Sequence, residues 1–272
     1  MAAAAAAALA PPRRLRVASV LPAATEALCF IGGASLLVGR SHEDNYPPEI
    51  THLPMLTTQH TTYTTAADVD QQVREAVHSG TALYGVEVDV LKSLRPDVIL
   101  TQDICSVCAV NLQTVERVAA SISPSPRVVS LNPENLEDVL ANILAVGEAV
   151  GMQVEARAAH ESILRRLANV DALVRLRHTP GPSVAFIEWP DPIYVGGHWT
   201  PELIRRAGGR HPCNEPKVEC GGGAGKSFAV SPEAIVASAP DLVIVCPCGL
   251  DLPATRKEAA RLEVRSLCSP YT

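Results

Sequence analysis

The sequence predicts an α/β protein made of two lobes joined by one long helix, and three observations point there. Short β-rich runs alternate with helix-like segments in both halves, the order that builds parallel sheets. From Gln153 to Arg177 the chain has no glycine or proline, and Ala159, Ile163, Leu167, Val170 and Val174 recur every three or four residues, the stripe of a long amphipathic helix. Leu94-Arg-Pro-Asp-Val-Ile-Leu100 and Ala239-Pro-Asp-Leu-Val-Ile-Val245 repeat one order of helix end, Pro-Asp turn and buried strand, and each runs into cysteines.

Taken in order, Leu15 to Val20 reads as a strand, Pro22 begins a turn, and Ala24 to Ile31 is helical in composition and closed by Gly32-Gly33. Further strands are expected at Leu37 to Ser41, Val98 to Thr101 and Val128 to Leu131. Asn132-Pro133-Glu134 reads as a capped start, with Pro133 at the first helical position, for a helix to about Val150. The long helix follows and is stopped by Thr179-Pro180-Gly181-Pro182. Ser183 to Glu188 restarts the pattern as a strand, Pro201 to Ala207 is a helix ending at Gly208-Gly209, Ser231-Pro232-Glu233 opens another, and Leu242 to Val245 is a strand. The expected division is a leader over 1–14, a first lobe over 15–150, a connecting helix over 151–178 and a second lobe over 179–272. Ligands of open α/β sheets bind at the carboxyl ends of the strands, which places a cleft between the lobes.

Composition removes several classes of function. The 272 residues are 47% hydrophobic, enough for a core without disulfide help. The net charge is −6, with 23 Lys plus Arg against 29 Asp plus Glu and no basic run, so nothing supplies the field that nucleic-acid binding needs. No window approaches the roughly 20 apolar residues of a membrane span, so a soluble protein is expected. At the start, an alanine run from Ala2 to Ala8 precedes Arg13, Arg14 and Arg16, the reverse of the charge order in a secretory signal. A cytoplasmic location is therefore expected, with an organelle-targeting leader as the alternative. Without export, the eight cysteines read as thiols or ligands.

Cys220-Gly-Gly-Gly-Ala-Gly-Lys-Ser227 imitates a phosphate-binding loop, but Cys220 stands where the pattern requires glycine, and Phe228-Ala-Val230 rather than a helix follows. Cys105-Ser-Val-Cys108 follows one strand and Cys246-Pro-Cys248 follows its counterpart. Either pair can line a strand end, contact a metal or form a redox couple, though a tetrahedral zinc site needs more ligands than one pair supplies. His42-Glu43-Asp44 and Gly197-His198-Trp199 are the polar clusters that follow strands, and imidazole is a common metal ligand. Trp189, Tyr194 and Trp199 crowd into one turn region of a chain that is only 4% aromatic, and flat side chains at a cleft suit a large planar ligand.

Arg16-Val-Ala-Ser-Val-Leu-Pro-Ala-Ala-Thr-Glu26, Val38-Gly-Arg-Ser-His-Glu43 and Tyr46-Pro-Pro-Glu49 resemble the opening of the periplasmic-binding-protein family for iron-siderophores, haem and cobalamin, and its cobalamin-binding branch in particular. The resemblance runs from about Leu15 to Leu262 through Leu94-Arg-Pro-Asp97, Thr101-Gln-Asp-Ile-Cys-Ser-Val-Cys108, Phe186-Ile-Glu-Trp189, Gly197-His-Trp199, Pro201-Glu-Leu203 and Cys246-Pro-Cys-Gly249. It implies two Rossmann-like lobes, a rigid connecting helix, a ligand held in the cleft, and Tyr46 and Trp189 where cobalamin binders present aromatics to the corrin ring. It also implies a further strand and a closing helix where this chain has Val264 to Thr272, so the second lobe is expected to be incomplete. The family's transporter-linked members deliver ligand to an ABC importer, a partner the leader argues against.

The first functional expectation is a soluble intracellular binding protein, not an enzyme, for a corrinoid or a similar tetrapyrrole-type metal chelate. Its expected site comprises His42, Glu43, Tyr46, Gln102, Cys105, Cys108, Trp189, Tyr194, His198, Trp199, Cys246 and Cys248, with His42 and His198 the candidates to reach the metal. The rival is a zinc- or iron-dependent enzyme built on the same cysteines and histidines, against which stands the lack of a complete ligand set within one lobe.

Overall fold

The structure is a computed structural model and describes residues 13–103 and 110–262. The alanine-rich leader up to Pro12, the Cys105/Cys108 pair and the stretch from Val264 on, where the second lobe was expected to stop short, lie outside the described residues. The first half runs β1 (Val17–Ser19), α1 (Pro22–Phe30) and β2 (Leu37–Gly39), then β3 (Thr57–Gln59), α2 (Ala66–Ser79) and β4 (Tyr84–Val86). It continues with α3 (Val88–Leu94), β5 (Val98–Thr101), α4 (Leu112–Ala120), β6 (Arg127–Ser130) and α5 (Leu136–Val150). Strands in the order β2-β1-β5-β6 form a parallel sheet, while β3 and β4 pair antiparallel as a separate ribbon. After α6 (Gln153–Arg175) come β7 (Val184–Pro190), β8 (Ile193–Val195), α7 (Thr200–Arg206), β9 (Phe228–Ala229), α8 (Pro232–Ala237), β10 (Leu242–Val245) and α9 (Leu252–Leu262), with the second sheet in the order β10-β7-β8-β9. The chain is thus the α/β protein of two sheets and one long intervening helix that the sequence predicts.

Three local differences have physical causes. The second sheet is mixed, because β7 and β8 are separated only by Asp191 and Pro192 and a connection that short joins antiparallel strands. Helix α5 starts at Leu136 rather than Pro133, because the Asn135 side chain accepts the Asp138 N–H at 3.0 Å and is the residue that caps it. Pro22 opens α1 as its first residue instead of a turn, where its missing N–H is harmless.

The first sheet buries both faces. Val17, Leu28, Leu100, Leu140, Ile143 and Val146 form one core between β1, β5, α1 and α5, and Ala18, Ile99, Leu91 and Val115 form the other. The apolar stripe of α6 divides its packing. Ala159, Ile163 and Leu167 rest on the first core, whereas Val174 comes so near Gly208 that a β-carbon there would lie 3.1 Å from it. Helices α5 and α6 approach closely because Gly147 has no side chain: a β-carbon there would sit 2.2 Å from that of Ala156. In the second sheet Leu242 and Val243 of the outer strand β10 are 49% and 39% exposed. No helix among the described residues is long and apolar enough to cross a membrane.

The repeated Pro-Asp turn has the same job in both halves. The Asp97 carboxylate accepts the Arg16 N–H at 2.8 Å just ahead of β1, and the Asp241 carboxylate accepts the Ser183 N–H at 2.7 Å just ahead of β7. In return, the Arg16 carbonyl accepts the Asp97 N–H at 2.8 Å and the Ser183 carbonyl the Asp241 N–H, also at 2.8 Å. Each turn is entered through a non-glycine residue in the left-handed region, Arg95 at φ 44° and Ala239 at φ 42°, a conformation that disfavours side chains.

Replacing Asp97 or Asp241 by alanine leaves a strand-leading N–H without its acceptor and is expected to cost about 1 kcal/mol in each case, the two losses adding because the sites are in different sheets. Urea unfolding of the single and double variants measures this. His211 is 2% exposed and donates from Nδ1 to the Val184 carbonyl at 2.8 Å, and burial pushes its pKa below the ordinary value of 6.5. The folded state therefore binds this proton less readily than the unfolded chain, so the stability linked to His211 is intact above about pH 6.5 and is lost as pH falls below it. His211→Gln is expected to flatten the fall in urea midpoint between pH 7.5 and pH 5.5.

Candidate functional site

The loops that follow β2 and β10 meet, so strand ends of the two sheets face one another. A β-carbon on Gly249 would lie 3.2 Å from Glu43 Oε1, which puts the end of one sheet against the end of the other. The first of these loops is rigid. Asp44, 2% exposed, accepts the Thr25 hydroxyl at 2.8 Å and the Ser41 N–H at 2.7 Å, while the Arg40 guanidinium donates to the carbonyls of Ser41, Asp44 and Thr51. Burial pushes the Asp44 carboxyl up, opposed by those hydrogen bonds and by Arg40. Of the sequence trio His42-Glu43-Asp44, Asp44 is thus the support and the other two are what it holds in place.

His42 is half-buried. Its backbone N–H and its ring Nδ1 both meet the buried Thr57 hydroxyl, at 3.0 and 2.7 Å, and the ring lies 5.7 Å from that of Tyr84. Nε2 is buried without a hydrogen-bond partner and stands 3.8 Å from Glu43 Oε1. Burial pushes the His42 pKa down, more than Glu43 raises it, so the ring is neutral at neutral pH. In the tautomer that donates from Nδ1 to Thr57, Nε2 presents a lone pair, the form in which imidazole ligates metals.

On the second lobe the organising group is Glu188, near the end of β7. Its carboxylate accepts the Gly197 N–H and the Ser227 hydroxyl, each at 3.3 Å, and the Cys248 thiol at 3.9 Å. Although Cys248 is exposed as a residue, the protein closes around its sulfur. Burial first, then the charges of Glu188, Cys246 and Glu43, push its thiol up to about 12. A thiol so far above its ordinary value is a poor metal ligand and a poor redox nucleophile. Among the described residues, Glu43 and Glu188 make no ion pair with a lysine or arginine, and no group of three or more His, Cys, Asp or Glu side chains is placed to hold a metal ion.

The aromatic residues divide into two pairs. Trp189 lies opposite Tyr194 in the β7–β8 pairing, and its indole N–H donates to the Ala66 carbonyl of the first lobe at 3.2 Å. The His198 and Trp199 rings are 5.7 Å apart at the start of α7. His198 adopts φ 50°, held there because its N–H meets the Gly225 carbonyl at 2.5 Å and its own carbonyl accepts the Ala224 N–H at 2.8 Å. The glycine-rich stretch after Cys220 is therefore a cradle for the His198 backbone rather than a phosphate loop. It can cross there only because Gly197 lacks a β-carbon, which would fall 2.3 Å from the Ser227 nitrogen.

The structure brings Glu43, Cys246 and Cys248 together, with His42 beside Glu43. Among the described residues, neither Tyr46, 62% exposed, nor Gln102, half-buried just past β5, has a hydrogen bond or ion pair to that group. Cys105 and Cys108 lie outside the described residues. Sequence reading passed over Glu188, Thr57 and Tyr84 as site residues. For Glu188 a signal was present, a lone carboxylate within the apolar run of β7. Thr57 and Tyr84 sit on a ribbon with no strong pattern of its own.

The pattern of the family described as periplasmic binding protein matches residues 17–261. No curated protein matches the chain in sequence. Among solved structures, a periplasmic heme-binding protein from Pseudomonas aeruginosa is 20% identical with a TM-score of 0.65, covering 90% of this chain and 76% of that one. An ABC transporter substrate-binding protein from Listeria monocytogenes EGD-e is 14% identical with a TM-score of 0.60, covering 93% and 83%. The periplasmic vitamin B12 binding protein BtuF of Vibrio cholerae is 16% identical with a TM-score of 0.58, covering 84% and 74%. At such identities the likeness is one of fold. The cytoplasmic location expected from the leader is overturned, since the matching family is one of periplasmic binding proteins and the Pseudomonas and Vibrio structures are of periplasmic proteins. The enzyme reading loses to the same match, and the chain belongs to the periplasmic binding protein family.

Proposed function

We propose that the chain binds a metal–tetrapyrrole chelate, a corrinoid by preference, between its two lobes. The observation that carries this reading is the meeting of strand ends from both sheets, Glu43 against the Cys248–Gly249 turn, with the Trp189–Tyr194 and His198–Trp199 pairs on the second lobe. Ligands of open α/β sheets collect at such ends, and rings of this size offer stacking surface to a flat macrocycle. In this reading Tyr46, Trp189, Tyr194 and Trp199 supply that surface, His42 or His198 reaches the metal, and Gln102, Cys246 and Cys248 line the strand ends. Proteins of this fold bind haem in Pseudomonas and vitamin B12 in Vibrio, which supports the ligand class.

Charge favours the corrinoid. Haem carries two propionates, and Glu43 and Glu188, which have no lysine or arginine partner among the described residues, repel them, whereas a corrin presents amides and a metal centre that is not anionic. Partnership with an ABC importer is typical of the family, and the expectation against one falls with the cytoplasmic location on which it rested.

Titration with aquacobalamin, cyanocobalamin and haemin, followed by the visible absorption band and the melting temperature, tests the reading. Both cobalamins are expected to saturate one site and raise the melting temperature, with haemin binding at least about tenfold more weakly, equivalent to about 1.4 kcal/mol. Glu43→Gln with Glu188→Gln is expected to narrow that gap, and Trp199→Ala to weaken cobalamin binding by about 1–2 kcal/mol. No change in band or melting temperature with any of the three ligands overturns the proposal.

A further inference from the structure

Away from the cleft floor, a short segment of the first lobe reaches across to the second. Residues 62–65 end the connection from β3 to α2, whose first residue is Ala66, and are pinned to α2 itself. The Thr62 N–H donates to Gln72 Oε1 at 2.8 Å, the Gln72 side chain donates back to the Thr62 carbonyl at 2.9 Å, the Thr64 hydroxyl meets Asp68, and the Thr65 side chain caps the helix by accepting the Asp68 N–H at 3.1 Å. From this stiff base two bonds cross between lobes. The Tyr63 hydroxyl donates to Glu258 Oε1 on α9 at 2.7 Å, and the Ala66 carbonyl accepts the Trp189 indole N–H at the end of β7.

The receiving side is equally fixed. Glu258 is 2% exposed, and the same oxygen that accepts the tyrosine proton is paired with Arg261 one turn further along α9. A buried carboxylate needs hydrogen-bond partners, and Tyr63 supplies one of those that Glu258 has. Burial and the hydrogen bond to Glu258 push the Tyr63 pKa up, so the phenol remains a donor.

We propose that residues 62–66 are an interlobe strap. Tyr63, fastened to the Glu258–Arg261 pair, limits how far the lobes part, and Ala66 holds the Trp189 ring at the cleft. Tyr63 and Glu258 are positioning residues in this scheme, since they act through the lobe spacing and Trp189. With α6 as the covalent link, the strap is a further tie between the same two bodies beside the Glu43–Gly249 and Asn135–Gly221 approaches, and unfastening it loosens the hold of one lobe on the other. A ligand stacked on Trp189 is then released no faster than the strap lets go.

The test uses Tyr63→Phe, which deletes only the hydroxyl, and Glu258→Gln, which keeps an acceptor oxygen. Without ligand, small-angle scattering reads the spacing of the lobes, and tryptophan emission in a Trp199→Phe background reads Trp189 alone. Tyr63→Phe is expected to raise the radius of gyration and shift the emission to the red, Glu258→Gln to do so less. With aquacobalamin bound, an arm that rests on the chelate-binding reading, stopped-flow release is expected to quicken about tenfold in Tyr63→Phe with a smaller change in association rate. Radius and emission equal to the parent's overturn the strap whether or not cobalamin binds, and so does an unchanged release rate. A larger radius and red-shifted emission in a protein whose parent binds no cobalamin support the strap and overturn the binding reading alone. Should Tyr63→Phe fail to fold, Glu258→Gln carries the same readouts.

Discussion

A carboxylate placed at the head of one strand and bonded to the backbone at the head of its neighbour sets the register of both sheets. Asp97 ties β5 to β1 through the Arg16 N–H, and Asp241 ties β10 to β7 through the Ser183 N–H, with the returning backbone bonds at matching lengths. In a parallel pair a slip of one residue turns every side chain to the opposite face, so an anchor at one end determines what stands at the other. With Val17 set against Val98 and Val184 against Leu242, the strands discharge their chains at defined heights, and the loops carrying His42 and Cys248 meet. The strained residues before each proline, Arg95 and Ala239, are the local cost of aiming that carboxylate.

The helix that links the sheets does two jobs because its apolar stripe is shared. The part of it up to Leu167 completes the core of the first lobe through Ala159, Ile163 and Leu167. Its last turns reach the second lobe, where Asp171 pairs with Arg206 at 3.0 Å and Val174 abuts Gly208. A helix packed at both ends resists bending more than a loop of equal length, so large hinge motion is confined to whatever loosens contacts off its axis. The crossing segment at Tyr63 and Ala66 is one such contact. The approach of Asn135 to Gly221, where a β-carbon would lie 2.7 Å from the asparagine nitrogen, is another.

Much of this was legible in the sequence where one physical signal dominated. The run Val98 to Thr101 and the run Leu242 to Val245 were read to the residue, because a Pro-Asp turn opens each and at least three apolar residues in a row follow it. The long helix was visible in its stripe, and its end came two residues early at Arg175. What stayed hidden depended on contacts distant in sequence. Strands β3, β4, β8 and β9 are two or three residues long, too short for a periodicity to show. In the site, His42, Glu43, Cys248 and the aromatic residues could be named from position after strands, yet Glu188 draws its importance from Gly197, Ser227 and Cys248, 9, 39 and 60 residues away. Trp189 was legible as an aromatic at a strand end but not as a donor to Ala66, 123 residues off. Location was misjudged because the order of charges in a leader is a weaker guide than the family pattern over residues 17–261.

The sulfur of Cys248 shows what burial, with two carboxylates beside it, does to a thiol. With its proton held up to about 12, the sulfur stays a thiol at neutral pH. Oxidants and alkylating agents react with the thiolate, so the side chain ages slowly despite belonging to an exposed residue. A turn that looks chemically vulnerable on composition is thereby made durable, and the strand end that carries it can keep one shape and one polarity.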